Sequence, residues 1–339
     1  MKLLVTGGAG FIGSNFVRFW LRNHVGDVVI TYDALTYAGC RDSLVDVDAE
    51  YGARHIFVKG DIRDYDTNLR TIKQHTPDVI VNFAAESHNS RAIMNPGIFT
   101  ETNVIGTQRL LEAARVAGVD RFHHISTCEV YGDLPLETDE KFTEESPYRP
   151  NTPYNASKAA ADMVCRAYQH TFGLPVTISN CSNNYGPYQF PEKIIPLFTI
   201  KALSHEKMPL YRSSRNKREW IHVDDHCRGI EAVLLKGFAG QTYNIGTGVE
   251  VDIETIADLI VSVLGLDSSY KEYVQDRPGH DRRYLLDSSK ITQQLGWKPR
   301  VDFNDGLKNT IRWYQEHEAW WKPLLKRAAV AEDHWNTFV

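Results

Sequence analysis

Cysteine is scarce in this chain: Cys40, Cys128, Cys165, Cys181 and Cys227 are the only five in 339 residues, and none forms a CxxC pair. An odd number without a secretion signal reads as free thiols, which excludes a disulfide framework and a cysteine zinc site. Most such thiols behave as small buried apolar side chains. Long apolar runs are missing too. No stretch approaches the roughly 20 residues needed to cross a bilayer. The opening Met1-Lys2-Leu3-Leu4-Val5 runs straight into glycines, which reads as leaving no room for a leader. A cytoplasmic enzyme without a membrane partner is expected. Basic charge is not in excess: 38 Lys and Arg stand against 43 Asp and Glu, a net charge of −5 that argues against a nucleic-acid partner. His123, His124 and His226 lack metal-ligand spacing and read as structural, so no metal is expected. What is there is an ordinary globular composition, 42% apolar and 24% charged, in a chain long enough for a sizeable core.

Short apolar runs alternate with helical stretches through the first half. Strands are predicted at 2–6, 28–32, 55–58, 79–83, 121–126 and 175–179, and helices from Phe11 to about Arg22, Gly106 to Ala117 and Ser157 to Thr171. That alternation predicts a doubly wound parallel α/β sheet of the Rossmann type. After about Asn184 prolines at 187, 191, 196 and 209 break the pattern. Residues 1–184 are therefore read as a dinucleotide-binding domain to which later segments return. Residues 185–326 are read as mainly a smaller substrate lobe, and 327–339 as a tail without a usable motif.

Gly7, Gly10 and Gly13 are spaced GxxGxxG between the first strand and the first helix. The first permits a tight turn, the second lets backbone approach a pyrophosphate, and the third lets helix pack on strand. The helix N-terminus, with Phe11 and Ile12, offers N–H donors to the phosphates. A glycine turn alone is a weak signal, and helix packing alone would explain it. Here Asp33 follows twenty residues after Gly13 at a strand end, where it can accept from the adenosine ribose. With Ala34 next and no adjacent arginine, NAD is favoured over NADP.

Tyr154 and Lys158 form a YxxxK pair at the start of a helix, on one face at i and i+4. A lysine charge there lowers the phenol's pKa, so that it can take a proton from a hydroxyl as hydride leaves. YxxxK alone is common by chance. It gains weight from Ser126-Thr127 at a strand end about thirty residues earlier, where Thr127 would bond the same hydroxyl.

The run Ile125-Ser126-Thr127-Cys128-Glu129-Val130-Tyr131-Gly132, the YxxxK pair and the run from Asn180 to Pro196 resemble the dTDP-glucose 4,6-dehydratases. These are nucleotide-sugar dehydratases of the extended short-chain dehydrogenase/reductase group, and the resemblance spans roughly residues 1 to 325. It implies oxidation of a nucleotide-linked hexose at C4, loss of water across C5 and C6, and hydride return to C6, in a homodimer. It further implies that Asp61 and Ile62 bracket the adenine, and that Ala84, Ala85 and Ser87 line the nicotinamide side. Glu129 is implied as the C5 base. Ser87, His88, Asn180, Glu192, Lys193, Arg218, Asn244, His280 and Arg282 are implied around the nucleotide sugar, with Arg218 and Arg282 on the phosphates.

Several positions depart from the family. Its Ser-Thr-Asp-Glu reads Ser-Thr-Cys-Glu here, so Cys128 holds the place of the acid that protonates the leaving C6 hydroxyl. A thiol, with an ordinary pKa near 8.5, is a weaker acid than a carboxyl group but arrives protonated at neutral pH. Three outcomes stay open. Cys128 substitutes as acid in a normal 4,6-dehydration; or hydride returns to C4 and leaves a 5,6-alkene; or water loss fails and the enzyme is a 4-epimerase or 4-oxidase. A non-catalytic NAD or sugar-nucleotide sensor is the remaining alternative, against which Tyr154, Lys158 and Glu129 speak. Glu-Ser-His-Val-Asp-Arg-Ser-Ile reads Glu86-Ser87-His88-Asn89-Ser90-Arg91-Ala92-Ile93, a glycine-aspartate-glycine loop reads Arg212-Ser213-Ser214, and an aspartate is Glu219.

Overall fold

Leu3, Leu4 and Val5 are all buried, with no alternation, because the strand they form is covered by helices on both sides. The computed structural model describes residues 1–276 and 279–328. Its strands are β1 (Lys2–Thr6), β2 (Val28–Asp33), β3 (His55–Lys59), β4 (Val79–Asn82), β5 (Arg121–Thr127), β6 (Val176–Cys181), β7 (Asn183–Tyr185), β8 (Met208–Tyr211), β9 (Lys217–His222), β10 (Thr242–Ile245), β11 (Glu250–Asp252) and β12 (Lys271–Val274). Seven form one parallel sheet in the order β10-β6-β5-β4-β1-β2-β3. The order reverses between β1 and β4, the switch point where doubly wound sheets open a crevice at their carboxyl ends. Helices Phe11–Asn23 and Val223–Lys236 cover one face through Phe16, Trp20, Cys227 and Ile230. Helices Tyr65–His75, Thr107–Ala117 and Pro153–Phe172 cover the other through Ile72, Leu110, Leu111 and Cys165.

The helix predicted from Ser157 begins at Pro153. Thr152 caps it, its hydroxyl accepting from the Asn155 amide at 3.2 Å, and proline at the first position lacks only a donor that would be unpaired there. Tyr154 consequently sits in the helix's first turn. The strand expected at 175–179 runs from Val176 to Cys181. β10 and helix Val223–Lys236 lie beyond residue 184 yet belong to the large-sheet layers. Around them stand β11-β9-β7, the pair β12-β8 and helices Ile194–Leu203, Ile253–Leu264 and Phe303–Glu316, joined by a separate apolar cluster. Arg277 and Pro278, just ahead of His280 and Arg282, and 329–339 of the expected tail, lie outside the described residues. No helix among the described residues is long and apolar enough to cross a membrane.

Candidate active site

Gly7 has φ +65°, and a Cβ there would lie 2.7 Å from the Ala84 amide nitrogen, so only glycine lets the β1 turn pass the end of β4. A Cβ at Gly13 would lie 2.3 Å from the Gly7 carbonyl oxygen, so that glycine closes helix against turn. Gly10 differs: its Cβ would meet only the Gly7 carbonyl, at 3.2 Å, and otherwise project into open space. That space is a cavity of about 280 Å³. Gly7, Gly10, Phe11, Ile12, Gly13, Asp33, Asp61, Ile62, Ala84, Ala85, Ser87, Tyr154 and Lys158 all line it.

Asp33 Oδ2 accepts from the Ala9 amide at 2.9 Å and Oδ1 from the Leu35 amide at 2.7 Å, which aims the carboxylate into the cavity. Burial pushes its pKa up. Arg63, which the sequence reading passed over, also lines this end, but its guanidinium is held bidentately by Asp61, with Nη2 to Oδ2 at 2.7 Å. A charge so committed offers little to a 2′-phosphate. Asn103 ties the Ala85-Glu86 wall to the catalytic helix. Its Oδ1 accepts from the Glu86 amide at 2.8 Å, and its Nδ2 donates to Ser157 Oγ at 2.8 Å. Asn103 lies in the π-helical turn Thr100–Gly106, an irregularity of the kind that often marks functional ground.

Tyr154, Lys158 and Asp162 follow at i, i+4 and i+8 on helix Pro153–Phe172. Burial pushes the Tyr154 phenol well above its ordinary value, and the neighbouring Glu129 charge adds to this, while a hydrogen bond with Thr127 opposes it. Lys158 Nζ is engaged by the Ile125 carbonyl at 2.7 Å and by His124 Nε2 at 3.2 Å. Burial lowers the Lys158 pKa, and the Asp162 charge works against that.

Asp162 itself is enclosed, accepting from Ser126 Oγ at 2.8 Å and Tyr148 Oη at 2.9 Å, and burial raises its pKa from 3.8 to about 6. Between those two pH values the folded carboxyl keeps a proton that the unfolded one has released. Stability therefore falls as pH rises through that window, in total by on the order of 3 kcal/mol. Asp162→Asn should remove this fall: thermal midpoints at about pH 4 and about pH 7 should differ less in the variant than in the parent. Equal differences would sink the assignment.

On the sugar side, a second cavity of about 600 Å³ meets the first. Ser87, Glu129, Asn183, Glu192 and Lys193 belong to both walls. Glu129 follows β5 in a short 3₁₀ turn capped by Thr127, whose Oγ1 accepts from the Glu129 amide at 3.3 Å. Its Oε2 accepts from Asn89 Nδ2 at 2.9 Å. Cys128, beside it in the chain, lines neither cavity. The thiol is 0% exposed, on neither cavity wall, and belongs to the buried cluster that includes Val130, Tyr131, Leu134, Phe142, Ala159 and Leu285. Burial and then the Glu129 charge push its pKa well up. A water-sized group cannot touch it here.

Three expectations are corrected. Asn180 is fully buried and on neither wall; its Nδ2 donates to Tyr131 Oη at 2.7 Å. Strand side chains alternate, so while Cys181 at the end of β6 reaches the cavity, Asn180 is turned to the opposite face. Asn244, its partner across β10, accepts from the same Tyr131 hydroxyl at 2.8 Å and donates to the Phe142 carbonyl at 3.0 Å, so it joins strands and lines neither cavity. Arg282 is drawn outward by Asp133, with Nε to Oδ2 at 2.6 Å, and is on neither wall.

Arg218, His280, His88, Glu192 and Lys193 do line the second cavity. Arg218 stacks on Tyr284 at 4.7 Å and spends three of its five N–H donors on the carbonyls of Lys217, Arg282 and Asp281, which leaves two for a ligand. Ser213 Oγ and His280 Nδ1 are 3.0 Å apart, so the departed loop braces that ring. Lys193 Nζ donates to the Ser87 carbonyl at 2.7 Å. Glu192 is held by Arg91 Nε at 2.9 Å and Tyr37 Oη at 2.9 Å. Arg327, in the expected tail, donates to the carbonyls of Thr36 and Gly39 beside the first cavity. Asn89, Arg91, Tyr37, Asn183 and Arg327 were not foreseen. Asn89 carried a signal as a departure from the family run; Tyr37 and Arg327 carried none.

A family model described as GDP-mannose 4,6 dehydratase matches residues 4–310. The chain is 48% identical over 344 residues to dTDP-glucose 4,6-dehydratase 1 of Escherichia coli K12, covering 94% of each. It is 48% identical over 325 residues to the dTDP-glucose 4,6-dehydratase of Mycobacterium tuberculosis H37Rv, covering 96% of each. The crystal structure of the dTDP-glucose 4,6-dehydratase DesIV from Streptomyces venezuelae, which holds NAD, superposes with a TM-score of 0.91 at 52% identity, over 96% of this chain and all of that one. A UDP-glucose 4-epimerase from Thermotoga maritima superposes with a TM-score of 0.86 at 29% identity.

Proposed function

Since the chain belongs to the GDP-mannose 4,6 dehydratase family, we propose that it is an NAD-dependent lyase that removes water from dTDP-glucose or a close nucleotide hexose to give the 4-keto-6-deoxy sugar. The observation that carries this reading is the place of Glu129. It stands where the cavity holding Tyr154 and Lys158 meets the cavity holding Arg218 and His280. A 4-epimerase needs no base at that junction.

The residues present fit NAD: Gly10 leaves a cradle that a Cβ would enter, and Asp33 presents a carboxylate to a ribose. When bound, NAD supplies a hydride acceptor for C4 and a positive ring charge that favours the Tyr154 phenolate. Tyr154 takes the C4 hydroxyl proton, and Thr127 bonds the same oxygen. Lys158, fixed by the Ile125 carbonyl, supplies positive charge to that corner. The C4 ketone then acidifies the C5–H, which Glu129 removes. Arg218 and His280 hold the diphosphate end of the sugar nucleotide, and Lys193 and Glu192 stand where the two cavities meet.

Exposed Val116, Met163 and Phe172, on helices Thr107–Ala117 and Pro153–Phe172, support a homodimer through those helices. The absence of any long apolar helix among the described residues is compatible with a cytoplasmic setting.

The test is mass spectrometry of products from dTDP-, UDP- and GDP-glucose incubated separately with enzyme and NAD. The reading expects loss of one water from dTDP-glucose, and slower or no loss from the others. Turnover of none, or isomerisation without mass change, would overturn it.

A further inference from the structure

Water loss requires a proton to leave C5 and another to reach the departing C6 oxygen. The position expected to give the second proton is Cys128, and its thiol is fully buried and lines neither cavity. Among the carboxylates on the second cavity's wall, Glu192 is tied between Arg91 and Tyr37. Glu129 is the other.

Glu129 is also held in a way that the sequence pattern does not carry. Asn89 Nδ2 donates to Oε2 at 2.9 Å, and Asn89 Oδ1 accepts from Thr152 Oγ1 at 2.7 Å. Thr152 is the cap of the helix that carries Tyr154 and Lys158, its Oγ1 also accepting from the Asn155 amide. One amide thus links the sugar-side carboxylate to the first turn of the catalytic helix. The backbone side is fixed by the Thr127 cap. With Oε2 engaged, Oε1 is the oxygen left to face the sugar. A side chain pinned at both ends has one geometry relative to Tyr154, as two successive transfers at adjacent carbons would need.

Resting on the dehydratase reading above, we propose that Glu129 carries out both proton transfers of the elimination, and that Asn89 is the positioning residue that makes this possible. The C5–H bond breaks and its proton passes to Glu129. The released pair forms the C5–C6 double bond as the C6–O bond breaks. The departing oxygen takes the proton from Glu129 and leaves as water. No electrons are gained or lost in this step, the carboxylate is regenerated, and it is recharged from solvent before C5 is reprotonated. Both groups leave from the face that Glu129 occupies.

The experiment compares Cys128→Ala and Asn89→Ala with the parent holoenzyme on dTDP-glucose. It follows C4 oxidation by the absorbance of reduced nicotinamide in a single turnover, and water loss by quenched-flow mass spectrometry. Cys128→Ala should lose water within about threefold of the parent rate, since its thiol is only packing. Asn89→Ala should oxidise C4 normally and keep its KM within about twofold, while water loss slows about ten- to a hundredfold. Asn89→Gln, which can regain the hydrogen bond to Glu129, should recover part of that loss. A merely structural Asn89 would lower both steps together. Loss of water elimination in Cys128→Ala with C4 oxidation intact would overturn the proposal, as would an Asn89→Ala enzyme unchanged in both steps. Should Cys128→Ala fail to fold, Cys128→Ser replaces it with the same two readouts. Absence of C4 oxidation in the parent itself would sink the dehydratase reading, and this proposal with it.

Discussion

Replacing Tyr154 by Phe should abolish oxidation at C4 while leaving the fold and the cofactor cavity intact. The substitution removes one hydroxyl from a ring that is nearly buried and packs edge-on against Phe99 with centroids 6.2 Å apart. The ring's packing survives, so the thermal midpoint should move little. The chemistry does not survive, because no other group close to Thr127 can accept the C4 proton. Lys158 is a donor committed to the Ile125 carbonyl, and Glu129 is oriented by Asn89. Loss of a positioned general base costs about 10²- to 10⁴-fold, and the absorbance of reduced nicotinamide on adding substrate should fall by that factor. A variant that oxidises C4 at the parent rate would show that the proton goes elsewhere.

Glu129→Gln should produce the opposite pattern: rapid C4 oxidation and no water. Glutamine keeps the shape and can still accept from Asn89, but it cannot take a proton from C5. The reduced-nicotinamide signal should therefore appear at the parent rate and persist, with water loss down about 10²- to 10⁴-fold. Deuterium from solvent should not enter C5. Water loss at the parent rate would remove Glu129 from the reaction and with it the base at the junction of the two cavities. Tyr154→Phe and Glu129→Gln together separate the two halves of the chemistry, since one blocks before the ketone and the other after it.

The glycine turn, Asp33, and the Tyr154–Lys158 pair were legible in the sequence because each is fixed by local geometry. A turn between strand and helix, a strand end, and an i,i+4 face need no knowledge of distant contacts. Arg282, Asn180 and Asn244 were misplaced for one shared reason. Membership of a motif does not say which way a side chain faces, and here strand alternation and Asp133 decided it. The burial that raises the Tyr154 phenol, a property of the packed protein, was not legible in the YxxxK spacing. Tyr37, Arg91, Glu192 and Arg327 meet over more than two hundred residues of separation, with Arg91 stacked on Tyr37 at 3.9 Å, and no local pattern encodes such a meeting. Cys128 was the most visible departure in the chain. Its burial was visible only once the fold had gathered it into one cluster with Val130, Phe142 and Leu285.

The most direct test of the account is to incubate the enzyme with NAD and dTDP-glucose in deuterated water and determine the product by NMR. The account predicts a 4-keto-6-deoxy sugar carrying deuterium at C5, because Glu129 exchanges its proton with solvent before returning it. A product with a 5,6-alkene and a C4 hydroxyl would contradict the hydride's return to C6. A C4 epimer without deuterium at C5 would contradict the dehydratase itself.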